Sequence, residues 1–264
     1  MKYYEVRPEG DKVVIMLSGY MFGAWSLMPL ARCFTDQRVY CIDSIADGEN
    51  HDETFDEFNE SLSGFLNDRD IDKVTLIGYS MGGFAAQYFA SKYPEYIDTL
   101  ILLGSCHPRD HQDFCYKSSS EFGDYLFTLS PDDIYRITTW NLLSVPARND
   151  MGLMAALRDD FLRAPPDKAC CMNQLRAMAQ LIEHQSQFST DVDCLSLYAR
   201  QDLVIKPEST LKSHGNKQIE LQSVEGGHLF VYEKPVEVYD IINTWLTRRG
   251  ASLACSHPNL SLGG

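Results

Sequence analysis

Short apolar runs separated by longer amphipathic stretches dominate the first hundred residues. Residues 13–17 (Val-Val-Ile-Met-Leu) form an unbroken apolar run with β-branched members, and residues 38–42, 74–79 and 99–103 repeat the signal. Runs of this length without polar alternation predict strands buried on both faces. Between them, residues 25–34 place apolar side chains at helical spacing, and residues 54–66 carry Phe55, Phe58, Leu62, Phe65 and Leu66 three and four positions apart. Both predict helices, the second capped by Thr54 with Glu57 three residues on. The run at 74–79 leads directly into a further helix that ends at about Tyr93, where Pro94 stops it. Strands alternating with helices, with no Asn-Gly hairpin signal between them, predict an α/β fold: a mostly parallel sheet covered by helices on both faces.

The pattern breaks after Ser105. Up to about Thr190 there are helical segments and no convincing strand: Ser130 and Pro131 open one helix with an N-cap and a first-turn proline, and residues 151–162 and 166–188 predict two more. A helical segment of about 85 residues is too long to be a simple connection between strands, so it predicts a cap inserted after the strand ending near Leu103 and lying over the strand ends. Strand signals resume at 194–199 and 219–224, with helices predicted at 207–213 and 235–249, the latter presenting Val238, Ile241, Ile242, Trp245 and Leu246. The expected organisation is a core of residues 1–104 and 191–249, a helical cap of residues 105–190, and a tail of residues 250–264 rich in Ser, Gly and Pro and expected to be poorly ordered.

At 264 residues and 44% hydrophobic content, the chain is large enough for one full core. Its formal net charge of −14 opposes approach to phosphate backbones and anionic lipid surfaces, which argues against nucleic acid or membrane as partners. The N-terminal residues have no apolar core of a leader, and no stretch approaches the roughly 18–20 apolar residues of a membrane span, so a cytoplasmic location is expected. The eight cysteines (Cys33, Cys41, Cys106, Cys115, Cys170, Cys171, Cys194 and Cys255) are scattered, form no C-x-x-C pair, and are expected to be reduced. In the cap, Met151, Met154, Met172 and Met178 suit an adaptable apolar pocket or the gaps of a small helical core. Its arginines Arg136, Arg148, Arg158, Arg163 and Arg176 could steer an anion or pair with nearby acids.

Chemistry concentrates at residues 78–83, Gly-Tyr-Ser-Met-Gly-Gly. A strand, a very tight turn and a helix start force the central Ser80 into a strained conformation, and Gly78 and Gly82 are small enough to let strand and helix nearly touch. The turn lifts the Ser80 hydroxyl clear of the sheet beside the unpaired N–H groups of a helix N-terminus. A serine needs a base, and the base needs a third group to hold its tautomer. Asp202 follows one predicted strand and His228 the next, so in a parallel sheet both emerge at the same edge as Ser80. Asp110, after the strand ending near Leu103, is a second candidate for the acid.

These features resemble an α/β-hydrolase with a helical cap, over residues 13–246. The Gly78–Gly83 elbow, the Ala-Arg-Gln-Asp loop ending at Asp202 and the Gly-Gly-His loop ending at His228 carry the resemblance, in the order Ser, Asp, His. The chain is also similar to the carboxylesterases that act on acyl-carrier-protein esters in biotin synthesis and to the lyase of menaquinone synthesis. The resemblance implies an oxyanion hole formed by the N–H groups of Met81 and Tyr20, although Ser18-Gly19 stands where the family often has His-Gly. It implies a serine carboxylesterase or thioesterase acting on a small or medium ester, thioester or lactone, with no metal or organic cofactor. A lyase or carbon–carbon hydrolase on the same triad is the alternative, followed by a non-catalytic receptor for a small ligand. An acyl-carrier protein as partner is not supported by charge, because residues 105–190 hold 8 basic and 11 acidic residues and are therefore not a basic patch.

Overall fold

The computed structural model describes residues 1–45, 53–111, 121, 123–183, 191–214 and 219–255. Seven strands form one sheet: β1 Tyr3–Arg7, β2 Val13–Leu17, β3 Arg38–Ile42, β4 Val74–Tyr79, β5 Ile97–Leu103, β6 Cys194–Ala199 and β7 Ile219–Val224, in the spatial order β1-β3-β2-β4-β5-β6-β7. Six are parallel, and β1 joins the edge antiparallel to β3. The fold class read from the apolar pattern is the one observed.

Helices among the described residues include α1 Met28–Ala31, α2 Phe55–Asn67, α3 Met81–Lys92, α4 Pro131–Trp140, α5 Val145–Asn149, α6 Met151–Arg163, α7 Lys168–Glu183, α8 Pro207–His214, α9 Phe230–Glu233 and α10 Pro235–Cys255. Side chains alternate across the pleat. Val14, Met16, Ile77, Ile101, Leu195 and Leu197 share one core with Val238 and Trp245 of α10, whereas Ile15, Leu17, Leu76, Leu100 and Leu102 share the other with Phe58 of α2 and Phe89 of α3. Helices thus cover both faces, and the central strands β2 and β4 are buried throughout, as continuous apolar runs require. Thr54 caps α2 in a reciprocal capping box with Glu57.

The segment between β5 and β6 divides between the two cores. Ile134 and Tyr135 of α4, Ala147 of α5, and Leu157 and Phe161 of α6 join the first, while Leu175, Met178 and Leu181 of α7 join the second. The segment therefore straddles the sheet edge.

Several elements differ from the sequence reading. The strand β1 is absent from it because Tyr3-Tyr4-Glu5-Val6-Arg7 lies at an edge and buries little, so no continuous apolar run marks it. The helix expected over residues 25–34 is a 3-10 turn at Ala24–Leu27 followed by a single α-turn, α1; its apolar residues pack without one continuous helix. The short helices α5 and α9 were not anticipated. The helix expected over 166–188 is seen as α7 to Glu183, and residues 184–188 lie outside the described residues. The chain does not leave helical structure at Gly250: α10 continues to Cys255, and the remainder of the expected tail lies outside the described residues.

Candidate active site

Ser80 sits at the end of the central strand β4 and caps α3, with φ 53° and ψ −118°. This left-handed backbone costs on the order of 1–3 kcal/mol and persists only where packing enforces it. The enforcement is visible in the glycines on either side. A Cβ on Gly82 would fall 2.6 Å from the Ser18 carbonyl oxygen, and one on Gly78 would fall 2.6 Å from Gly83 Cα. Strand β2, strand β4 and helix α3 are in backbone contact at this point, so the turn has no looser alternative.

The hydroxyl so presented meets two other loops. Ser80 Oγ lies 2.9 Å from His228 Nε2, and His228 Nδ1 lies 2.7 Å from Asp202 Oδ2. All three residues are buried. The other carboxylate oxygen of Asp202 accepts the N–H groups of Val204, at 2.8 Å, and Ile205, at 2.9 Å. Both oxygens are thus committed, and the carboxylate cannot rotate away from the imidazole. The His228 carbonyl accepts the Tyr79 hydroxyl at 3.1 Å. Burial, then the nearby Asp202 and Glu233 carboxylates, hold the Tyr79 phenol well above its ordinary pKa, so it stays a neutral donor.

Met81 is the first residue of α3, so its N–H has no acceptor within the helix. Tyr20 follows β2 and, with Met81, lines the cavity into which Ser80 opens. The adjacent backbone is tightly folded: Phe22 N–H donates to Tyr20 C=O at 2.7 Å, and Met21 has φ 65°. Asp110 is held elsewhere, accepting the Ser213 hydroxyl at 2.9 Å and pairing with Lys212 at 3.0 Å, while Asp202 occupies the position beside His228.

The cavity has a volume of about 540 Å³ and is walled chiefly by Phe22, Phe84, Leu126, Leu142, Met178 and Ile205. Of the four methionines noted in the sequence, only Met178 is among its lining residues; Met154 and Met172 pack against the two cores and Met151 is exposed. None of the five arginines lines it. Arg136 and Arg158 pair with Asp132, Arg163 pairs with Asp160, Arg148 lies over the Trp140 ring, and Arg176 is exposed. Among the described residues, no lysine or arginine borders the cavity and no cluster of three His, Cys, Asp or Glu is placed to hold a metal ion.

The cysteines Cys33, Cys41, Cys106, Cys170, Cys171 and Cys194 are free thiols; Cys115 and the side chain of Cys255 lie outside the described residues. Among the described residues no helix is long and apolar enough to cross a membrane.

Residues 12–130 match the family described as alpha/beta hydrolase fold. A thermophilic esterase from Thermogutta terrifontis superposes with a TM-score of 0.75 at 20% identity, covering 94% of this chain and 93% of that one. The chain has the alpha/beta hydrolase fold. Curated relatives match in sequence over shorter stretches. The 1-acylglycerol-3-phosphate O-acyltransferase ABHD5 of Sus scrofa is 31% identical over 100 residues, 34% of this chain and 28% of that protein. The 2-hydroxy-6-oxononadienedioate/2-hydroxy-6-oxononatrienedioate hydrolase of Paraburkholderia xenovorans is 32% identical over 114 residues, 39% of each chain. The matched segments thus span between about a quarter and two fifths of these relatives' lengths.

The position of Gln174, buried between the insertion and the loop after β2, could not be anticipated from sequence. A glutamine in an amphipathic helix reads as a solvated residue, and only the packed structure shows what its amide reaches.

Proposed function

We propose that this protein is a serine hydrolase that cleaves a carboxylic ester, thioester or lactone with an uncharged, largely apolar acyl group, through an acyl-enzyme on Ser80. The observation that carries the reading is the continuous hydrogen-bonded chain from Ser80 Oγ through His228 to Asp202 at the floor of an apolar cavity.

In the proposed cycle His228 Nε2 takes the Ser80 proton as Oγ bonds to the substrate carbonyl carbon, giving a tetrahedral intermediate with its charge on the former carbonyl oxygen. The Met81 and Tyr20 N–H groups stabilise that oxygen, a contribution worth about 3–4 kcal/mol per donor in comparable sites. The imidazolium formed at His228 is stabilised by Asp202, whose second oxygen is fixed by Val204 and Ile205. When the tetrahedral intermediate collapses, the bond to the leaving group breaks and His228 returns the proton to it. Water then repeats the sequence on the acyl-enzyme, with His228 as base, releasing the acid and restoring the Ser80 hydroxyl.

The insertion acts as the cap over this site, and its walls favour the ester reading over the carbon–carbon alternative. A dicarboxylate substrate would enter a cavity with no lysine or arginine among its described lining residues, and a buried carboxylate without a partner costs several kcal/mol. The net charge of −14 likewise supports a small molecule, rather than nucleic acid or an acidic carrier protein, as partner.

Labelling with a fluorophosphonate probe tests the reading. The parent protein is expected to form a stoichiometric adduct and Ser80→Ala none. Absence of a Ser80-dependent adduct in folded protein would remove the hydrolase.

A further inference from the structure

The proposed oxyanion loop packs on the insertion through Phe22 and Phe161 and is hydrogen-bonded to it by the amide of Gln174. Gln174, in the middle of α7 and only 5% exposed, accepts the Met21 N–H on its Oε1 at 3.1 Å and donates from its Nε2 to the Ser44 carbonyl at 3.0 Å. One amide therefore bridges the loop after β2 and the loop after β3. The bond falls on the residue next to Tyr20, and that residue has φ 65°, a left-handed conformation that a non-glycine side chain rarely adopts. The Met21 N–H points towards Gln174 while the Tyr20 carbonyl accepts the Phe22 N–H at 2.7 Å, so both bonds fix the peptide plane between Tyr20 and Met21, the plane that directly follows the one carrying the Tyr20 N–H. The other restraints come from the sheet side. The Asp43 carboxylate accepts the Ala24 N–H, and Ser18 Oγ accepts the Ser44 N–H at 3.1 Å. These pin the ends of the loop; in its middle, the turn closed by the Phe22 N–H on the Tyr20 carbonyl is tied to the insertion through Gln174.

We propose that Gln174 is a positioning residue: its amide holds the Tyr20–Met21 backbone in the conformation that aims the Tyr20 N–H at the oxyanion, so the hole is complete only while α7 is seated. This rests on the reading of Ser80 as nucleophile. Its consequence is that the insertion contributes to the chemical step as well as to the walls of the cavity. A substrate or inhibitor that lifts α7 withdraws an oxyanion donor without touching Ser80, His228 or Asp202.

The test compares Gln174→Leu, Gln174→Glu and, as control, Asn173→Ala. Asn173 is the adjacent buried residue and ties the same helix to the Glu53 carbonyl at 3.0 Å, outside the loop after β2. Kinetics use p-nitrophenyl butyrate, and the rate of Ser80 phosphonylation by a fluorophosphonate reports the hole directly. Gln174→Leu is expected to lower kcat and the phosphonylation rate together by roughly ten- to a hundredfold, with KM within about twofold, part of the 10²–10³ lost when a donor itself is removed. Gln174→Glu keeps an acceptor for the Met21 N–H and is expected to recover a substantial part of both rates. Asn173→Ala is expected to lower Tm while leaving kcat within twofold.

A folded Gln174→Leu with parental kcat and phosphonylation rate overturns the proposal. So does a loss that Asn173→Ala reproduces, or a change confined to KM. Should the Gln174 variants not fold, hydrogen exchange on the parent protein decides. Phosphonylation of Ser80 is expected to slow amide exchange over residues 19–24 and 170–178 together, and slowing of the loop without α7 counts against the proposal. The underlying reading fails separately, through a Ser80→Ala protein that still labels.

Discussion

The carboxylate of Glu233 accepts both the backbone N–H of Ser144, at 2.8 Å, and the Ser144 hydroxyl, at 2.7 Å. It also accepts the Gly227 N–H at 3.2 Å, and beside it the Leu229 N–H donates to the Leu142 carbonyl at 2.8 Å. The loop that carries His228 is thereby sewn to the insertion. Glu233→Ala would leave three donors without their acceptor and is expected to cost about 2–3 kcal/mol of stability in urea denaturation, with kcat falling as His228 loses its seat. Glu233→Gln, which keeps one acceptor oxygen, should cost less. Equal stability of the alanine variant and the parent would show that the clamp carries no energy.

Asp202→Asn tests the role of the carboxylate with little change in shape. The carbonyl oxygen can still accept the Val204 and Ile205 N–H groups, which leaves the amide NH₂ facing His228 Nδ1 and favours the tautomer protonated at Nε2. That tautomer cannot take the Ser80 proton. A loss of kcat of roughly 10⁴-fold is expected with the circular dichroism spectrum and Tm nearly unchanged. Activity within tenfold of the parent would mean that Asp202 does not set the tautomer.

The apolar wall predicts a preference that a pair of substrates can read. The p-nitrophenyl ester of butyrate should exceed the corresponding monoester of succinate by about 100-fold or more in kcat/KM, because the buried succinate carboxylate would find no cation and each 1.4 kcal/mol is tenfold. Thr138→Arg, at the cavity lining on α4, should narrow the gap. Equal rates on the two esters would contradict a neutral acyl pocket.

Buried thiols give the stability a pH dependence with a definite sign. Burial, with a smaller contribution from nearby carboxylates, pushes Cys41 and Cys106 up to about 12. In the unfolded chain these thiols ionise near pH 8.5–9, so above that range the unfolded state binds fewer protons than the native state and stability falls as pH rises. The slope approaches about 1.4 kcal/mol per pH unit for each such group until the native value is reached. Urea midpoints at pH 8, 9 and 10 measure it, and Cys41→Ala should flatten the decline. A midpoint that does not fall between pH 9 and 10 would contradict the burial of these thiols.

What could be read in the sequence follows from how each feature is encoded. Strands β2 and β4 are buried on both faces, so five consecutive apolar residues announce the first and an apolar run broken by Thr75 and Gly78 the second, and the elbow at Ser80 announces itself because only glycine tolerates the backbone contacts at Gly78 and Gly82. Asp202 and His228 are marked in the sequence by their places after β6 and β7, a reading that requires only that the sheet be parallel. Strand β1 was not legible, since an edge strand with an exposed Tyr4 needs no apolar run. Nor were the destinations of the insertion's polar residues. Gln174 and Arg176 lie two positions apart on the same helix, yet one is buried against the loop after β2 and the other is exposed. Residue type does not distinguish them; the rotation of α7 against the sheet does.

The two sides of the cavity differ in what holds them. Around Ser80 the walls are main chain against main chain, with Gly82 facing the carbonyls of β2, so even one added carbon has nowhere to go. Across the cavity, Ile137 of α4 and Met178 of α7 close it together with Leu126 and Leu142 of the insertion. Variation can therefore accumulate on one wall and not the other. Under the proposed reaction, a change of substrate is open through the insertion, while the turn that presents Ser80 is locked in glycine.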